Sequence, residues 1–128
     1  MILVDGASGA GKSALLSALG RILAPISGRI LIDGMDIATL TPVQRQRVLG
    51  LAGSAAPLLP GSIGMNLGYR RPGAPHGELR ALAERLGLLR QGLSLGRTLH
   101  DPRFDLSIGE YEALLVGRAI AGKPPLLL

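Results

Sequence analysis

A chain of 128 residues with 47 % hydrophobic content has material for one packed core, and the absence of cysteine removes disulfides, thiolate metal sites and cysteine nucleophiles while suiting a reducing cytosol. The formal charge of +5 does not make a nucleic-acid surface: arginines are scattered from Arg21 to Arg118, and Tyr69, Phe104 and Tyr111 are too few to stack bases. No charged segment leading into an apolar one opens the chain, and the uncharged stretch between Arg47 and Arg70 is broken by Pro57, Pro60, Asn66 and glycines, so it reads as strand, loop and short helix and not as a membrane span.

In chain order, the apolar run Met1-Ile2-Leu3-Val4 predicts a short buried strand, and the Ala/Leu-rich run Ala14 to Leu23 predicts a helix. Between them lies Gly6-Ala7-Ser8-Gly9-Ala10-Gly11-Lys12-Ser13, an ungapped match to G-x-x-x-x-G-K-[ST] in the strand–loop–helix order that this phosphate-binding pattern needs. Glycines let the backbone turn with positive φ and bring successive N–H groups to phosphate oxygens, and the helix N-terminus adds partial positive charge. Lys12 would neutralise the β- and γ-phosphates, and the Ser13 hydroxyl would complete the coordination of a bridging Mg²⁺. Only Lys12 and Lys123 are lysines among 14 basic residues, so a compact point charge at this place is informative. Chance resemblance of a Gly-rich turn is the competing reading, disfavoured by the flanking elements.

Pro25 to Gly28 predicts a turn, and Arg29 to Ile32 a strand closed into a hairpin by Asp33-Gly34. Thr41-Pro42-Val43-Gln44 has the cap, the N1 proline and the N3 glutamine of a capping box, so a helix should start there and reach about Val48, before a core strand at Leu49 to Ala52. Further on, a short helix near Ile63 to Leu67, a loop at Arg71 to Gly77 and a helix from Glu78 to Leu86 follow, the last with Leu79, Leu82, Ala83 and Leu86 on one face and Gly87 as its stop. His76 and His100 have no second ligand nearby and read as surface residues.

Leu106-Ser107-Ile108-Gly109-Glu110 leads into a predicted helix Tyr111 to Ala121, with Ser107 and Glu110 forming a second capping box. By themselves these residues allow two readings, a second phosphate contact at a helix N-terminus or a well-capped helix and nothing more. Gly122 and Pro124 end the helix, and Pro125 to Leu128 reads as the start of a third buried strand.

Together, Gly6 to Ser13, the segment Gly28 to Ile37, Leu106 to Glu110 and Arg118-Ala119-Ile120 resemble the ATPase domain of ATP-binding cassette (ABC) transporters, especially exporters, over nearly the whole chain. They correspond to the family's Walker A loop, its G-x-I-x-I-D-G-x-D-I run, its LSGGQ signature and its A-R-A-L run. The resemblance implies an α/β fold: a P-loop NTPase-type core with a mostly parallel sheet and flanking helices, plus a helical subdomain, truncated at both ends. The implied division is core 1–61, helical subdomain 62–105, and signature helix with the beginning of the Walker B strand 106–128.

The family's function implies ATP and Mg²⁺ as cofactors and a head-to-tail dimer with a second ABC ATPase domain, in which Ser107, Gly109 and Glu110 act on the partner's nucleotide. It also implies a transmembrane domain outside this chain, contacted through the region near Ser54 to Asn66 and the following helices, and a place on the cytoplasmic side of the cell membrane. Nucleic acid is not an expected partner. In three respects the chain departs from the family pattern. Ser54 stands at the Q-loop glutamine, Ile108 replaces the signature's first glycine, and the Walker B aspartate, the catalytic glutamate and the switch histidine would all follow Leu128, so no catalytic residue falls within the chain and the isolated piece is expected to be essentially inactive. The upstream adenine-stacking aromatic is likewise absent. Ser54 and Ile108 keep open a second reading, a nucleotide-dependent clamp or regulatory module without useful hydrolysis. A P-loop kinase would share the loop but gives no reason for Leu106 to Glu110, and the coiled-coil insertion of DNA-repair relatives is absent.

Overall fold

A computed structural model describes residues 3–53, 56–89 and 93–128. The first helix, α1 (Lys12–Leu19), follows the glycine loop and stops four residues before the expected Leu23. The cause is a C-terminal lock: Arg21 takes the left-handed conformation (φ 57), its N–H donates to Ala18 O and the Ile22 N–H reaches back to Ser17 O at 2.7 Å. Those are the two bonds of a Schellman motif, built on an arginine where glycine is usual. β1 (Leu31–Ile32) and β2 (Met35–Asp36) then form the expected hairpin, with positive φ at both Asp33 and Gly34 supplying the tight turn.

Thr41 caps α2 (Pro42–Val48) through the full capping box, Thr41 Oγ1 accepting from the Gln44 N–H and Gln44 Oε1 accepting from the Thr41 N–H. From it the chain passes directly into β3 (Leu49–Gly50). β4 (Gly61–Ser62), α3 (Ile63–Gly68) and α4 (His76–Arg85) follow, so α4 begins two residues before the expected Glu78. Gly87, with φ 71, ends α4 in a second Schellman lock through Leu88 N–H to Ala83 O. The last elements are β5 (Thr98–Leu99), α5 (Pro102–Asp105), α6 (Ile108–Ala121) and β6 (Leu126–Leu127).

Strand pairing is sparse. The parallel ladder is β3 with β6, lengthened by Leu128 N–H to Gly50 O and Ala52 N–H to Leu128 O, while β1·β2 and β4·β5 are antiparallel. Because these ladders are short, the core is carried by helices. Leu58, Ile63, Leu67, Ala83, Leu88, Leu99, Leu106, Leu114 and Leu115 form one buried cluster around α6, with α3 and α4 laid against it. Gly117 lets that approach happen: a Cβ there would come within 2.6 Å of both Leu67 and Leu86.

The opening strand is not seen as expected. Met1 and Ile2 lie outside the described residues, and Leu3 and Val4 are exposed and pair with no strand among the described residues. Neither has a ladder partner or a covering helix, because α1 itself buries no residue. No helix of the described residues is long and apolar enough to cross a membrane.

Candidate nucleotide-binding site

The glycine loop is shaped by three left-handed or otherwise glycine-demanding positions, Gly6 (φ 151), Gly9 (φ 82) and Gly11 (φ 89). A Cβ at Gly9 or at Gly11 would meet nothing within 4 Å, so one side of the loop is open at both. Gly11 is the N-cap of α1 and offers no side chain, which leaves the first N–H groups of the helix without a side-chain acceptor. Lys12 Nζ folds across the loop and donates to Gly6 O at 2.5 Å and Ala7 O at 2.7 Å. Within the loop, the Gly6 N–H donates to Asp5 Oδ1 at 2.7 Å and the Ala10 N–H to Ala7 O at 3.2 Å. Ser13 follows on the first turn, exposed, with its hydroxyl one residue from that ammonium. A triphosphate suits this donor set: amides and an ammonium for the phosphate oxygens, and a hard hydroxyl oxygen for Mg²⁺.

At the start of α6 the second set is also assembled. Ser107 is the N-cap, with Oγ accepting from the Glu110 N–H at 3.3 Å, and Glu110 Oε2 accepts from the Ser107 N–H (2.8 Å) and the Ser107 hydroxyl (2.7 Å). These bonds hold the Glu110 carboxyl below its ordinary range, the Ser107 hydroxyl first, its N–H second and the Arg97 charge last among the favouring causes. Gly109 is exposed and open, and Ile108 projects into solvent at 82 % exposure. Gly6 to Ser13 come together in one place and Ser107, Gly109 and Glu110 in another; no hydrogen bond joins the two sets among the described residues. Ser54 lies outside the described residues.

Two buried polar residues went unread in the sequence. Asn66 is fully buried and bridges Leu59 and Ser62, and Arg118, 5 % exposed, donates to Pro57 O at 2.8 Å and to Ala56 O. Nothing in the spacing pointed to them, since the Arg118 contacts span more than sixty residues.

An uncapped helix behind a positive-φ glycine loop and a lysine spanning the loop, in a chain that also carries a parallel strand pair, are the marks of a P-loop NTPase-type domain. The family model described as "ABC transporter" matches residues 1–128. The chain belongs to the ABC transporter family, as an ATP-binding domain homologous to those of exporters. An ATM1-type heavy metal exporter of Novosphingobium aromaticivorans is 35 % identical over 133 residues, spanning 99 % of this chain and 22 % of the relative. The beta-(1→2)glucan export ATP-binding/permease protein NdvA of Rhodopseudomonas palustris is 37 % identical over 131 residues, again 99 % of this chain and 22 % of the relative. Among solved structures, a bacterial Atm1-family ABC exporter with ATP bound superimposes with a TM-score of 0.81 at 34 % identity, covering 94 % of this chain and 22 % of that one. The chain thus spans about a fifth of these relatives.

Proposed function

We propose that this chain binds Mg·ATP through Gly6, Ala7, Ser8, Gly9, Ala10, Gly11, Lys12 and Ser13 and serves an ABC exporter as part of its energy-coupling ATPase domain. The observation that carries the reading is the Lys12 ammonium lying across the backbone of an open glycine loop at the uncapped start of α1. Lys12 would exchange its carbonyl acceptors for phosphate oxygens, and Ser13 would hold Mg²⁺, which supplies charge neutralisation between the β- and γ-phosphates. The division into core (1–61), helical part (62–105) and signature segment (106–128) belongs to the same reading.

In this proposal a second ABC ATPase domain packs head to tail, so that Ser107 and Gly109 face the partner's nucleotide while Glu110 fixes the turn that presents them. The separation of the two sets within one chain supports that arrangement. A transmembrane domain is contacted through the neighbourhood of Ser54 to Asn66, which places the ATPase domain on the cytoplasmic side of the cell membrane. Turnover by these 128 residues alone is negligible, because phosphoryl transfer needs an acid for the metal and an oriented water, for which Ser54 is too short. Ile108, exposed at the position of the signature's first glycine, is the observation favouring the second reading, a nucleotide-dependent clamp that closes without useful hydrolysis.

The test is calorimetric titration with Mg·ATP. Lys12→Ala is expected to weaken binding about 10- to 100-fold, the equivalent of about 1.5–3 kcal/mol for a charged hydrogen bond. Ser13→Ala, which leaves the Gly6 and Ala7 contacts in place, is expected to abolish the advantage of Mg·ATP over ATP alone. Unchanged affinity in both variants would overturn the reading.

A further inference from the structure

Thr41 and Ser107 cap their helices with boxes of the same geometry and different charge. In both, the cap oxygen accepts the N3 N–H at 3.3 Å, and the N3 side chain accepts the cap N–H at 2.8 Å. At α2 the N3 residue is the neutral Gln44, and no hydrogen bond runs to it from the Thr41 hydroxyl among the described residues. At α6 it is Glu110, whose Oε2 also takes the Ser107 hydroxyl proton, at 2.7 Å. Glu110 lies below its ordinary range, with the Ser107 hydroxyl and then the Ser107 N–H as the leading causes and the Arg97 charge a lesser one, so it is a carboxylate at neutral pH. It enters no ion pair among the described residues, where the pairs are Arg71 with Glu78 and Arg80 with Glu84. A hydroxyl has one proton to donate, and an ionised acceptor holds it roughly twice as strongly as a neutral one. The turn itself does not need the charge, because Gln44 closes the same box without it.

We propose that Glu110 restrains the closure of this domain on its partner's nucleotide, by holding the Ser107 hydroxyl proton that the γ-phosphate would otherwise take. The proposal rests on the head-to-tail reading above and adds a residue that sets how readily that closure happens. Phosphate oxygens are acceptors, so the Ser107 hydroxyl engages them only by donating. While its proton lies on Glu110 Oε2, the exposed serine turns lone pairs to an approaching anion. Donation to the phosphate requires that the 2.7 Å bond be broken first. Glu110 thus has two separable effects: its bond to the Ser107 N–H fixes the start of α6, and its bond to the hydroxyl withholds the donor.

The test uses the transporter with its membrane domain in nanodiscs and reads the distance between spin labels on its two ATPase domains as nucleotide is added. Glu110→Gln keeps an acceptor for the Ser107 N–H, as Gln44 does for Thr41. It is expected to lower the Mg·ATP concentration for half closure about tenfold, the difference between a charged and a neutral competitor for the proton. Mg·ADP, which lacks the γ-phosphate, is expected to show no such gain. Ser107→Ala is expected to raise the concentration needed, and in the double variant most of the Glu110→Gln gain should disappear. An unchanged or higher concentration in Glu110→Gln would mean that the carboxylate presents Ser107 and does not restrain it. A gain of equal size with Mg·ADP, or one that survives Ser107→Ala, would put the effect outside the hydroxyl. Each of these results overturns the proposal. Where Ser107→Ala alone weakens closure and Glu110→Gln changes nothing, the head-to-tail reading stands without it; where neither substitution matters, both fall.

Discussion

Asn66 works as a substitute peptide group. Its Oδ1 accepts the Leu59 N–H at 3.0 Å, and its Nδ2 donates to Leu59 O at 2.9 Å and Ser62 O at 3.2 Å, with Asn66 itself fully buried. Leu59, which belongs to no strand, is thereby tied to α3. Asn66→Ala would orphan one N–H and two carbonyls beside the core, and the expected loss is roughly 2–4 kcal/mol in urea unfolding. Asn66→Asp should cost at least as much, because it removes both donors and buries a carboxylate. A change below about 0.5 kcal/mol in both variants would mean that water replaces the side chain. In the sequence Asn66 was legible only as an interruption of an apolar stretch, Arg70 only as one of the scattered charges, and Arg118 as a charge within the run that resembles the family's A-R-A-L. Residue type shows that a polar group must find partners when buried; it does not show which arginines are buried, because their acceptors lie 21 to 62 residues away.

Local elements were far more legible, because their signals are local. Both capping boxes form as the Thr41/Gln44 and Ser107/Glu110 spacings require, and Asp33-Gly34 closes its hairpin. The misjudged end of α1 has an equally local cause that composition hides: Arg21 occupies a left-handed position for which arginine carries no signal. The Ser107/Glu110 box also makes stability depend on acid. Glu110 is depressed in the folded chain, so its contribution is fully present above the ordinary value of 4.5 and is lost as pH falls through the lowered one. Ser107→Ala should therefore cost about 1 kcal/mol at neutral pH and less at pH 3, whereas Glu110→Gln should flatten the acid limb below pH 4.5. Urea midpoints at the two pH values decide it. A Ser107→Ala penalty that stays constant with pH would show that the serine caps α6 without help from the carboxylate.

On the scale of the whole molecule, the glycine loop and the packed core are different regions. Sequence patterns identified the family and five of the helices, though with shifted ends for α1, α4 and α6 and without α5, but apolar runs could not show which of them join one core. The buried leucines from Leu58 to Leu88 and from Leu93 to Leu115 do so around α6, whereas Leu15, Leu16, Ile22 and Leu23 remain substantially exposed and α1 buries nothing. A helix of eight residues without tertiary support is marginal in water, so α1 should open locally at small free-energy cost. Hydrogen exchange is thus expected to be fast at 12–19 and slow at 111–121, with at least about a hundredfold difference in protection, the equivalent of roughly 3 kcal/mol between local and core opening. On the proposed function, Mg·ATP would bind the formed loop and helix start in preference to the opened ones. By mass action, a concentration 100 times the dissociation constant should stabilise 6–19 by about 2.7 kcal/mol and slow their exchange accordingly. Core amides near Leu114 and Leu115 should change much less, since their opening is already rare. Uniform protection along the chain before nucleotide is added would place α1 within the cooperative core, and slowing confined to 111–121 would put the ligand at the signature helix and not at the loop.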